Sequence, residues 1–399
     1  NKLTEFRNLV FESKLSANLM PKTVTSSNSG AVTAKANADA GNFTHSITVS
    51  QLADGVKLAS SGPITTGDSK ATLAEQFGLS GDPFTIKLTN GSKSKEITVD
   101  PNMSIYELVS AINNAGLDIR ASYDADIDRF FLATTNTGSA SGIDFTGSSP
   151  EGIDFLQDKL KINILDENGQ PHRGQDAIVN LDGANLTLSS NTFTVSGVTY
   201  TLHGVTGDNP VNIVVNTDID KIIENVKSFV NKYNELLEAI NSELNETYYK
   251  DYLPLTDEEM AELKEAQVKA WEEKARSGLL RRDPILRSLV TAMRNSFMDS
   301  VAGLTGKYRN ASSIGISTSS YTEGGKLYVD ENKLRQALTE DPEIVYKIFG
   351  SSGDNRAANG VLNRLYDDLK TALDKIKSEA GTTASATYDN QSVLGKLIN

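Results

Sequence analysis

Residues 218–244 read DIDKIIENVKSFVNKYNELLEAINSEL, and this stretch decides the fold. Ile219, Val226, Tyr233 and Ile240 recur every seven residues, with Ile222, Ile223, Phe229, Val230, Leu236, Leu237 and Leu244 filling the positions between them. That alternation of three and four is a coiled-coil seam, widened to suit a small helical bundle. The seam residues Ile219, Ile222, Val226, Phe229, Tyr233, Leu236 and Ile240 are expected in the bundle core. Asp218 is placed as the N-cap, because its carboxylate can accept the free N–H groups of the first turn. Such a helix is roughly 40 Å long at 1.5 Å per residue, so it needs long partners. An ordinary core helix carries a similar stripe; the sustained heptad spacing favours a strut in an elongated protein.

Composition narrows the class. A chain of 399 residues suits two to four domains, and its net charge of −13 argues against nucleic acid and anionic membrane surfaces as partners. No run approaches the roughly 20 apolar residues of a membrane span. The absence of cysteine excludes disulfides, thiolate metal sites and cysteine nucleophiles. No secretory signal peptide is visible, and the chain opens on Asn1 rather than methionine, as expected of a piece whose true ends lie elsewhere.

In chain order, Asn1–Met20 reads as a helix closed by Pro21, a first candidate partner for the seam. Ser, Thr, Asn and Gly then dominate, with a strand-like run through Phe43, Ile47 and Val49. A β-β-α-β-β unit follows. Phe84–Leu88 turns at Asn90-Gly91 into Ile97 and Val99, the Ser92–Lys95 spacing leaving room for a longer loop. Ser104 and Glu107 form a capping box for a short helix ending at Gly116, and Ile119–Tyr123 and Arg129–Ala133 complete the unit. Thr134–Ser149 reads as a flexible loop, and 156–215 as a second β-rich block opening with Lys161–Leu165. After the seam come an aromatic turn at 246–254 and a charged helix from the Thr256/Glu259 capping box to about Ser277. Asp283-Pro284 starts another helix, Lys326–Val329 is a short strand, Asp330 caps a further helix, and Asp341-Pro342 begins one at Ile344–Phe349. Leu362 to Ile376 forms the last amphipathic helix, and the polar end from Gly381 is expected to be mobile. The fold class is therefore α+β and multidomain: an antiparallel, coiled-coil-like helical-bundle stem with the β-rich middle inserted into it.

Several segments together resemble the flagellar filament cap family, hook-associated protein 2. They are VNIVVNTD at 211–218 running into FVNKYNEL at 229–236, SGVTYTL at 196–202, GLLRRD at 278–283, IGI at 314–316 and GKLYVD at 325–330. The unit 84–132 is similar to a β-rich insert shared by cap proteins and some flagellins, and WEEKA at 271–275 is similar to Gram-positive members. The resemblance covers nearly the whole chain except the family's terminal coiled-coil segments. It implies a stem of 1–30 with 217–399 and two nested β-rich head domains, 31–65 with 171–216, and 66–170. It also implies a homo-oligomeric ring of five or six subunits at the filament tip, outside the cell, which helps flagellin fold into place. Passage through the flagellar export system without a cleaved signal is implied, with an export chaperone bound by a missing terminal segment, and adhesion to host surfaces in some species. Another flagellar axial protein, or a surface adhesin binding mucin or glycans, is the competing reading.

Little points to chemistry. Asp124-x-Asp126-x-Asp128 starts like a calcium loop, but Arg129 stands where the loop needs glycine and Thr135 where it needs a bidentate glutamate. His45, His172 and His203 lie in separate contexts, and no catalytic or cofactor fingerprint occurs. No metal, cofactor or enzyme activity is expected. Tyr248, Tyr249 and Tyr252, crowded on a turn, are the candidate partner contacts; packing of the turn itself is the alternative. Arg281-Arg282 reads as a solvated helix start.

Overall fold

Asp218 accepts a hydrogen bond from the Lys221 amide at 2.9 Å, and the central helix Ile219–Asn245 runs from that cap. The computed structural model describes residues 2–65, 68–79, 81–319 and 323–381. Those of them within 1–23, 37–39 and 216–399 form one unit, and those within 24–36 and 40–215 the other.

In the first unit the central helix packs on the opening helix Lys2–Ser13, on Pro284–Met298 and on Glu331–Glu340. The closing helix Val361–Ala380 packs on the opening helix and on Pro284–Met298. Aromatic rings link them. Phe6 lies 5.7 Å from Phe229, Tyr233 lies 5.0 Å from Phe297, and Phe297 lies 6.0 Å from Phe349. Asp283 accepts from the Leu286 amide at 2.8 Å, with Pro284 in the first turn. The short strands Ile316–Thr318 and Leu327–Val329 pair antiparallel.

Three expectations in this unit need correction. The single opening helix through Met20 is two helices, Lys2–Ser13 and Ser16–Leu19. Leu15 is extended, and the Asn18 side-chain Nδ2 donates to the Glu12 carbonyl at 2.8 Å, taking an acceptor a continuous helix would use. The charged helix 256–277 also breaks in two, Asp257–Glu262 and Glu265–Arg276, with Leu263 and Lys264 extended between them. The Gln267 side chain accepts from the Lys264 amide at 3.1 Å and restarts the helix. The segment after Asp341-Pro342 winds into a π-turn, Tyr346–Gly350, rather than an α-helix. The expected mobile end from Gly381 lies, beyond that residue, outside the described residues.

The second unit holds two cores. In one, Phe84–Asn90 pairs with Lys93–Val99 through a two-residue loop, shorter than the room the sequence left for it. Gly91, at φ 58°, supplies the left-handed residue that such a loop requires. The Ser104/Glu107 box caps Ile105–Asn113, and Arg129–Thr134 lies between Ile119–Asp124 and Lys57–Ala59. Val56 and Ile64 join this core, although the sequence assigns residues up to 65 to the other group. Thr134–Ser149 is not a loose loop. Ile143 and Phe145 are buried, Thr89 and Asp144 exchange backbone hydrogen bonds, and Gly142–Ile143 pairs with His172–Arg173. Two apolar residues among serines and glycines are too few to display a period. Lys161–Leu165 forms no strand; Ile162 and Ile164 are buried from irregular backbone that follows the helical turns 150–159.

The other core lies between two sheets. The five-stranded one runs Lys22–Ser26, Val211–Thr217, Phe43–Gln51, Ala177–Leu181 and Ala184–Leu188 in spatial order. The three-stranded one runs Thr192–Val195, Val198–Leu202 and Val32–Ala36. Ile47, Val49, Val179, Ile213 and Tyr200 are fully buried, each from the inward position of an alternating strand.

Candidate functional site

Six of the seven seam residues, Ile222, Val226, Phe229, Tyr233, Leu236 and Ile240, are buried in the first unit. Ile219, the first helical residue, is partly buried at the edge of that core. Tyr233 is fully enclosed, and its hydroxyl has no hydrogen-bond partner among the described residues. Burial pushes its phenol well above the ordinary value, against a smaller opposing effect of Arg294. The seam is a packing surface.

The turn after the central helix is built differently. Tyr248 and Tyr249 are exposed, 44% and 41%, while Tyr252 is half-buried against Trp271, with ring centres 4.6 Å apart. The Trp271 indole donates to the Leu253 carbonyl at 2.8 Å, pinning the turn to the helix Glu265–Arg276. Lys274 sits 4.4 Å from the centre of the Tyr252 ring and donates to its hydroxyl at 3.1 Å. Gly278 closes the turn. Its amide donates to Glu246 at 2.6 Å, and at φ 73° a Cβ there would lie 2.7 Å from the Tyr248 Cα. The structure thus gathers the three tyrosines at one tip but splits their roles: Tyr252 packs, while Tyr248 and Tyr249 face outward beside Leu253, Leu279 and Leu280, which are also exposed. Arg281 and Arg282 are exposed in the same connection.

The sequence reading passed over Trp271 and Lys274 as members of this cluster, although the chain's single tryptophan beside a tyrosine-rich turn was a usable signal. It also passed over Arg364. This side chain is 1% exposed and donates to the backbone carbonyls of Arg356, Asp299, Ser300 and Ala357 at 2.8–3.0 Å. Burial lowers its pKa from the usual guanidinium value. An arginine set in the leucine stripe of the closing helix was the only sign of it.

Two carboxylates of the aspartate triplet are occupied by the fold. Asp124 accepts from the amides of Asp126 and Ile127, and Asp128 accepts from Thr65 and the Tyr123 hydroxyl. Burial pushes the Asp128 carboxyl up, but the hydrogen bonds from Tyr123 and Thr65 outweigh it and hold the group below its ordinary value. The histidines stand apart: His45 pairs with Asp182, His172 with the Asn163 carbonyl, and His203 with the Thr33 hydroxyl. Among the described residues no three metal-ligating side chains converge, and no helix is long and apolar enough to cross a membrane.

Known proteins match along nearly the whole chain. The family profile described as flagellar hook-associated protein 2 C-terminus matches residues 174–397, and its N-terminus counterpart matches residues 1–55. The flagellin hook IN motif matches residues 83–136, the hairpin-and-helix part of the second unit. Flagellar hook-associated protein 2 of Halalkalibacterium halodurans is 33% identical over 425 residues, covering 94% of this chain and 77% of that protein. The B-type flagellar hook-associated protein 2 of Pseudomonas aeruginosa is 27% identical over 392 residues, covering 93% of this chain and 74% of that one. In fold, the chain is similar to the D1-D2-D3 domains of the flagellar cap protein FliD from Escherichia coli. The TM-score is 0.68 at 22% identity, over 93% of this chain and 94% of that one.

Proposed function

Because this chain belongs to the flagellar hook-associated protein 2 family, we propose that it caps the flagellar filament at its tip, outside the cell. Identical copies form a ring that admits each arriving flagellin, shelters it while it folds into place and prevents its loss. The observation that carries this reading is the family match itself, which takes in both the opening residues 1–55 and the long segment 174–397. The work is mechanical: weak contacts to the filament break and re-form as subunits add, and the protein acts as a structural part rather than an enzyme. The polar bonding of Asp124, Asp128 and the three histidines is in keeping with that role.

The first unit serves as the stem in this proposal, and the two cores of the second unit serve as nested heads. The separate clusters around Phe130 and Ile213 support two heads, and Val56 and Ile64 move their dividing line to near residue 55. The seam of the central helix keeps the stem stiff, while Tyr248 and Tyr249 are its partner contacts. Export proceeds through the flagellar system, with a chaperone engaging a terminal segment. Deleting the gene that encodes this chain tests the reading: flagellin should pass into the medium unpolymerised, leaving cells with hooks but without filaments. Filaments of normal length in the deletion strain would overturn it.

A further inference from the structure

Arg282, Arg287 and Arg294 wall one open depression of about 650 Å³ in the first unit, and no carboxylate among the described residues lines it. In a chain of net charge −13 this is a local reversal of sign. Arg287 and Arg294 stand seven residues apart on Pro284–Met298, about 10 Å along the axis. Asn241 and Asn245 of the central helix form the facing wall, and Leu244, Val290 and the half-exposed Met298 give an apolar floor. Arg282 and Arg287 are exposed and in no ion pair among the described residues. The neighbouring Asp283 is engaged as the cap on the Leu286 amide.

The same unit carries the opposite pattern. Residues 257–265 read DEEMAELKE, five carboxylates against one lysine. The helix Asp257–Glu262 buries no side chain, and Met260 and Leu263 are only half covered. Glu259 is held by the Thr256 capping box. Asp257, Glu258, Glu262 and Glu265 form no ion pair among the described residues, with these arginines or with any other base.

We propose that the arginine-walled depression docks the acidic segment 257–265 of a second copy of this chain. This rests on the ring reading above. The two surfaces are complementary in sign, each combines charge with a little apolar area, and neither Arg282 and Arg287 nor the four acids form an ion pair among the described residues. They also differ from one another, as a head-to-tail contact that closes a ring requires. Exposed ion pairs are individually weak, so the contact orients neighbours and speeds their encounter more than it binds them.

Sedimentation of the full chain over a concentration series reaching about 1 mM, at low and high salt, tests the pairing through two exposed double variants, Arg282→Glu/Arg287→Glu and Glu258→Lys/Glu262→Lys. Circular dichroism confirms that each folds. Each alone should self-associate at least about tenfold more weakly than the native chain, and an equimolar mixture should recover association, because the swapped charges pair between copies. Native-like association of either variant, or a mixture no better than its parts, would overturn the contact while leaving the ring standing. A native chain that stays monomeric throughout the series would overturn both.

Discussion

The central helix Ile219–Asn245 buries nine of its side chains, whereas Asp257–Glu262 and Glu265–Arg276, a few residues further along, bury none. All three are capped and all are rich in helix-forming residues. The difference lies in where their apolar side chains go. The central helix sets them at heptad spacing against Phe6, Phe297 and Phe349, so tertiary packing holds it. The later pair is held by local devices: the Thr256/Glu259 box, the Gln267 cap and the Trp271 bond to Leu253. Stability therefore resides in the seam, while the exposed side chains suited to contacts with other molecules lie in the tip.

The largest effect should come from the seam. Phe229→Ala removes a ring packed on Phe6 and is expected to cost about 3–5 kcal/mol, read as a lowered midpoint in urea. Leu253→Ala, at a tip residue 69% exposed, should change that midpoint by no more than about 0.5 kcal/mol. Equal losses in the two variants would break the comparison.

Next comes Arg364, the polar counterpart of the seam. Arg364→Met keeps the volume but removes the four hydrogen bonds that this enclosed side chain donates to backbone carbonyls, and about 3 kcal/mol of destabilisation is expected. Arg356, which pairs with Asp368 nearer the surface at 2.7 Å, should lose less on the same change. The ranking is checked by paired melts of the two variants.

The sequence made the seam legible because heptad spacing is a regular signal over 27 residues, and the same holds for the alternating strands Phe84–Asn90 and Val211–Thr217. Isolated apolar residues gave no such signal. Ile143 and Phe145 are as buried as any seam residue, yet they stand among serines and glycines, and their segment reads as a loop. The breaks at Leu15 and Leu263 are set by single side-chain bonds, from Asn18 and to Gln267, that compete with helix continuation. At the tip, composition placed the tyrosines together. Which of them packs was decided by Trp271, 19 residues beyond Tyr252, a pairing that no local pattern encodes.

A smaller effect follows from the buried phenols. Burial raises Tyr200 from 10.0 to about 12, with a smaller contribution from Asp182, and it raises Tyr233 further. The neutral phenol is the form the fold favours, so this stability is fully present below pH 10.0 and is lost as pH rises through the folded value. Alkaline titration followed at the phenolate absorbance should show the Tyr200 step near pH 12, together with a falling melting temperature from pH 10 upward. A melting temperature unchanged to pH 12 would show that Tyr200 is solvated.

The smallest effect is expected at the tip itself. Trp271 is the only tryptophan, and it lies in the segment that buries nothing, so its fluorescence reports the tip while far-ultraviolet circular dichroism is dominated by the packed helices. Segments held by few buried contacts open at lower free energy than the core they adjoin. The Trp271 emission should therefore shift to the red at lower urea than the loss of ellipticity, giving two transitions that do not coincide. Trp271→Phe should leave the ellipticity midpoint within about 0.5 kcal/mol of the native value, because the indole bond to Leu253 serves only the turn. Coincident transitions would mean that the tip unfolds with the seam, which would erase the distinction between a helix held by packing and a turn held by local bonds.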